Sequence, residues 1–151
     1  MAVKPIPEGY HTVTPYLTVD GAERLLEFVK AAFGAKMRGD AMRTPDGKIG
    51  HAEVEIGDSV VMLADAATSD SGDVMNALLH VYVEDVDSVY KRALEAGATS
   101  VREPSDQFYG DRMAGVRDPV GNQWWIATHV EDVAPEEMAK RAQEAMAQQQ
   151  S

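Results

Sequence analysis

From residue 13 the chain alternates apolar and polar side chains. Val13, Leu17 and Val19 share one parity, and Thr14, Tyr16 and Thr18 share the other. This two-residue period is that of a strand whose faces meet different surroundings. Pro15 lacks an amide hydrogen, which predicts an edge position or irregular pairing for this strand. The period then lengthens: Leu25, Phe28, Val29 and Ala32 form the stripe of a helix from Gly21 to Phe33, with Asp20 as the expected N-cap and Gly34 as the stop. A strand is predicted near Lys36–Met42, followed by a turn at Thr44-Pro45-Asp46-Gly47. Strands over Ile49–Ile56 and Ser59–Ala64 follow, joined by Gly57-Asp58. In the first of these, Ala52, Val54 and Ile56 face one side, and His51, Glu53 and Glu55 the other.

Residues 65–76 are small, polar and turn-rich, and read as a connector; beyond them the pattern restarts. Residues 78–83 alternate, and Glu84-Asp85 opens a helix that ends at Gly97. Val19 and Val83 lie 64 residues apart, as do Gly57-Asp58 and Gly121-Asn122, so each half reads β-α-β-β-β. The second half closes on Asp118-Pro119-Val120-Gly121-Asn122-Gln123-Trp124-Trp125-Ile126, a tight reversal feeding a strand that sends its two indoles to opposite faces. Pro135, Glu136 and Glu137 start a last helix over 134–147, with Met138, Ala142, Ala145 and Met146 as a weak stripe.

The chain has 151 residues, sufficient for one domain with a core, and an ordinary apolar content of 44%. Its net charge of −11 disfavours nucleic acid, whose binding rests on phosphate neutralisation; it reads first as a means of solubility and second as an attraction for cationic small molecules. The absence of cysteine removes disulfides, thiolate metal sites and cysteine nucleophiles. With no apolar run of membrane-spanning length and no apolar signal core at the N-terminus, the expected location is the cytoplasm, with no membrane partner.

The duplicated unit, together with "TPYLTVDGAERLLEFV", "GHAEVEIGDSVVMLAD" and "DQFYGDRMAGVRDPVGNQWWIATH", resembles the vicinal oxygen chelate superfamily. That group comprises glyoxalase I, bleomycin-resistance proteins and extradiol dioxygenases, and the likeness is greatest to its PhnB-like branch. The resemblance runs to about residue 130. It implies a single α+β domain of two tandem βαβββ modules, residues 10–64 and 77–130, whose curved mixed sheets form a cup or partial barrel. It also implies a homodimer. Superfamily enzymes hold a metal in the cup on the first and last strands of each module. Here those places fall at Thr14, near Val61 (or Met62), Leu78 and Trp125, and valine, methionine, leucine and tryptophan offer none of the nitrogen and oxygen donors a divalent ion needs. No cofactor is therefore expected.

The resemblance then leaves Tyr16, His51, Leu78, His80, Tyr82 and Trp125 to line the cup as a pocket or to fill it as core. Phe108 and Tyr109 form a rim or a packed loop, and Arg112 either recognises an anion or pairs with Asp111 or Asp118. Three functions stay open. One is metal-independent binding of an aromatic or cationic organic molecule. Another is a glyoxalase-like lyase or isomerase using a relocated metal or a general base, with His51, Glu53 and His80 as candidates. The last is a ligand-free dimeric scaffold.

Overall fold

The computed structural model describes residues 2–149. Its elements run β1 (Tyr16–Val19), α1 (Ala22–Phe33), β2 (Lys36–Met37), β3 (Met42–Arg43), β4 (Ile49–Ile56), β5 (Ser59–Asp65), β6 (Leu78–Tyr82), α2 (Val86–Glu95), β7 (Thr99–Asp106), β8 (Asp111–Arg117), β9 (Gln123–His129) and α3 (Pro135–Gln149). The fold is α+β with two mixed, unclosed sheets. The first has the order β1-β5-β4-β2, with β3 also on β4, and the second β6-β9-β8-β7. In each, the opening strand runs parallel to the closing one at a sheet edge, and the remaining pairs are antiparallel. Pro15 precedes the edge strand β1, where its missing hydrogen costs no ladder bond, while its carbonyl accepts from the Met62 amide at 2.9 Å.

The two halves meet through their helix-covered faces. Leu17, Val19, Val54 and Leu63 of the first sheet join Val116, Trp124 and Ile126 of the second, with α1 and α2, in one continuous core. Trp124 is fully buried and touches Phe33, with ring centroids 4.9 Å apart, and Phe28, at 6.5 Å.

Several local expectations are corrected. Asp20 does not cap α1; the N-cap is Gly21 at φ 108°, a conformation open to glycine, and the acceptor comes from across the sheet. One carboxylate oxygen of Asp65 takes the amides of Gly21 and Ala22, at 3.1 and 2.9 Å, while the other takes that of Ile49, at 2.8 Å. Burial pushes the Asp65 carboxyl up, but these three amides outweigh it and hold it below the ordinary carboxylate range. Val13 lies before β1 and is 82% exposed, so it takes no part in the core face. The strand expected near Lys36–Met42 is two short strands, because Gly39 turns the chain at φ 72°.

Candidate functional site

The outer faces of the two sheets carry the chemistry. On the first, Tyr16 pairs in register with Met62, and Met62 with Glu53, so all three share a face with His51. Val61 pairs with Val54 on the helix side and is buried. The place expected near Val61 therefore belongs to Met62. A chain of hydrogen bonds crosses this face. The Tyr16 hydroxyl lies 3.0 Å from His51 Nδ1, and His51 Nε2 lies 2.7 Å from Glu53 Oε2. The other Glu53 oxygen accepts from the Tyr10 hydroxyl. Arg38 lies 4.9 Å above the Tyr10 ring centre and pairs with Glu55 at 2.8 Å. Thr14 sits outside the strand, and its hydroxyl donates to the His11 carbonyl at 3.3 Å.

On the second sheet, His80 is opposite Trp125, and Trp125 opposite Gly115. A Cβ at Gly115 would stand 2.9 Å from the Trp125 ring, so glycine is what lets the indole lie flat across β8. His80 and Tyr82 stack edge to face at 5.0 Å. The Tyr82 hydroxyl donates to Asp111 at 2.8 Å, a bond that holds its phenol protonated above the usual range. Asp111, 3% exposed, also takes His129 Nδ1 at 2.8 Å, and His129 Nε2 reaches Asp132 at 2.7 Å. Burial pushes the Asp111 carboxyl up; hydrogen bonds from His129 and Tyr82 more than offset this and keep it low. His129 is raised by Asp111 first and Asp132 second.

Sequence reading passed over the Asp111–His129 pair. Its signal was present, since residues 111 and 129 hold the cup-side parity of their strands, but a histidine at a strand end carries no motif. Leu78, at 63% exposure, opens the same face. Phe108 and Tyr109 are in the β7–β8 turn, their rings 5.2 Å apart. That turn is tied down: Gly110 O accepts from Val130 and Glu131, and Arg141 of α3 donates to Phe108 O at 3.2 Å. Arg112 is corrected. It shares the helix-side parity of Ala114 and Val116, and it grips Asp87 of α2 at 2.8 and 3.0 Å and Asp106 at 3.2 Å, rather than Asp111 or Asp118.

The single chain thus gathers Tyr16, His51 and Glu53 into one group, and His80, Tyr82 and Trp125 into another, on separate sheets whose opposite faces share the core. A groove of about 1300 Å³ runs between the halves along the free edge of β6; it reaches His80 and Tyr82 but not Tyr16, His51 or Trp125. The superfamily's metal does not fit these residues. Met62, Leu78 and Trp125 offer a thioether, an alkyl group and an indole, and the His51 and Glu53 donors are bonded to each other. Among the described residues, no three His, Asp or Glu side chains are grouped to hold an ion.

Two open mixed sheets with helices on their inner faces and polar-aromatic outer faces define a scaffold shared by many small-molecule-handling proteins. The sequence pattern of the Glyoxalase/Bleomycin resistance protein/Dioxygenase superfamily matches residues 10–126, and the chain belongs to that superfamily. An uncharacterized protein of Mycobacterium bovis is 36% identical over 135 residues, covering 83% of this chain and 88% of that protein. An uncharacterized protein of Mycobacterium tuberculosis is equally similar, with 79% of its own length covered. Among solved structures, TioX from Micromonospora sp. ML1 is similar at 28% identity, with a TM-score of 0.62 over 80% of this chain and 98% of that one. A superfamily member from Sphaerobacter thermophilus, at 21% identity and a TM-score of 0.63 over 78% of this chain and 96% of that one, shares the fold. No helix among the described residues is long and apolar enough to cross a membrane.

Proposed function

We propose that the protein binds a planar, uncharged or cationic organic molecule without a metal, in a cup completed by a second copy of the chain. The observation that carries this reading is the Trp125 indole, laid flat over Gly115 on an outward face beside His80 and Tyr82. Indole and phenol faces attract cations and stack on flat rings. The first-sheet face, with Tyr16 46% exposed, supplies the opposing wall from the other protomer. A homodimer follows, with two cups each made from one copy's first sheet and the other's second.

The test is titration of intrinsic tryptophan fluorescence with a panel of planar aromatic antibiotics, cationic members included. Trp124 is buried, so Trp125 is the reporter. At least one compound is expected to quench saturably, and Trp125→Ala, which lacks the reporter and is therefore measured by calorimetry, should weaken its binding by about fivefold to tenfold, equivalent to roughly 1–1.4 kcal/mol. Flat responses across the panel, or an unchanged affinity in Trp125→Ala, would overturn the reading.

A further inference from the structure

The outward face of the second sheet carries opposite charges at its two ends, with the Trp125 indole between them. Strand register places them. Trp125 is opposite Gly115, and Gly115 is opposite Arg102 of β7; two residues along β8 comes Arg117, opposite Gln123. Directly opposed residues, and residues two apart on one strand, share a face. Arg102, Gly115, Arg117 and Trp125 therefore stand on one side of the sheet. The indole leaves β9 and lies over Gly115, so Arg102 is the next residue across the sheet. Arg117 follows about 7 Å along β8 at the ordinary strand rise.

Among the described residues, neither Arg102 nor Arg117 has a hydrogen-bond or ion-pair partner for its guanidinium, although the chain has 25 acidic side chains to 14 basic ones. Arg38, Arg43, Arg112 and Arg141 each hold a carboxylate. The difference is local. A hollow of about 480 Å³ beside Arg117 is lined by Asn76, Ala77, Leu78, Gly121 and Gln123, and by no acid. The Gln123 carbonyl oxygen accepts from Trp125 Nε1 at 3.2 Å, which turns its amide hydrogens to the ligand side. A guanidinium and amide donors together suit a carboxylate, whose two oxygens match the guanidinium fork. At the other end of β8, Asp111 and Asp132 share His129, so that end keeps a negative charge even with the imidazole protonated.

We infer that this face selects a planar aromatic zwitterion, a flat ring with a carboxylate at one end and an amine at the other. This rests on the stacking read for Trp125 and narrows it, since such a molecule has no net charge. The ring lies on Trp125, the carboxylate reaches Arg117 and the Gln123 amide with Arg102 alongside, and the amine points toward Asp111 and Asp132.

The test is calorimetric titration of the full-length protein with norfloxacin, a flat ring bearing a carboxylate and a distal amine, and with its methyl ester. The ester keeps the ring and the amine but lacks the anion. It is the more cationic compound, so the overall charge of the protein favours it, and a preference for the acid reports the local guanidinium. Norfloxacin is expected to bind about tenfold more tightly than the ester, the scale of one charge-assisted hydrogen bond. Raising the salt should shrink that margin. Arg117→Gln should abolish it by weakening the acid and sparing the ester, and Arg117→Lys should restore part of it. Arg24→Gln, on α1 and away from this face, should leave it intact, which separates a local contact from the change in total charge. Circular dichroism confirms that each variant is folded. Equal affinity for acid and ester, a tighter ester, a margin that survives in Arg117→Gln, or one that Arg24→Gln also removes would each overturn the inference. If both compounds fail to bind while other planar molecules quench Trp125, the inference falls and the stacking reading stands; if no planar molecule binds, both fall.

Discussion

Asp118 organises the final turn with a single carboxylate. One oxygen accepts from the amides of Val120 and Asn122, at 2.9 and 3.0 Å; the other takes Asn122 Nδ2 at 3.1 Å and Trp124 Nε1 at 2.8 Å. Asp118 is 4% exposed and Asn122 is fully buried, so water cannot substitute for the carboxylate. Asp118→Ala would strand several buried donors and is expected to cost about 3 kcal/mol, within the range for hydrogen bonds to a charged group plus unpaired donors. Urea unfolding would report it as a lower midpoint at unchanged slope. The sequence showed that Trp124 and Trp125 part to opposite faces, because strand parity alone decides that. It did not show that Trp124 returns its N–H to Asp118, since the direction of an indole is set by the packing of Phe28 and Phe33 around it. The same limit hid Asp65 as the cap of α1, because its amide partners lie 16 to 44 residues away.

At the scale of elements, β8, β9 and the segment leading to α3 are joined through Asp111, His129 and Asp132. The folded protein raises His129 above its ordinary value of 6.5. Its contribution to stability is therefore complete below about pH 6.5 and lost as pH rises through the folded value. Asp111 works in the opposite sense. Its carboxyl is held below 3.8, so its contribution is present above that value and lost as pH falls through the folded one. Urea midpoints should accordingly fall between about pH 6 and pH 9, and His129→Gln should flatten that slope and also weaken the acid limb, because His129 is the leading partner that holds the Asp111 carboxyl low. The β4–β5 hairpin, α1 and α2 could be read from spacing, because their stripes and turn residues agree with one another. The break between β2 and β3 could not, since one glycine at positive φ overrides an otherwise strand-like stretch.

For the whole molecule, the repeat in the sequence foretold two similar sheets but not which faces they turn toward each other. Both faces of each sheet carry apolar side chains. The choice was made by Phe28, Phe33 and Trp124, which fuse the helix sides into one core and leave Tyr16, Leu78 and Tyr82 outside it. A proposed dimer therefore combines faces that a lone chain keeps apart. If a sample of Trp125→Ala is refolded together with His51→Ala, mixed dimers should regain one intact cup per pair, seen as the return of a fraction of sites with the parent affinity that each variant alone has weakened.

That back-to-back build has a thermodynamic signature. Unfolding of a single chain senses His51 and Trp125 as strangers, so their energetic penalties should simply add. Affinity for a molecule held between two protomers senses them as neighbours, and a double-mutant cycle on binding should there return a coupling that the cycle on stability lacks.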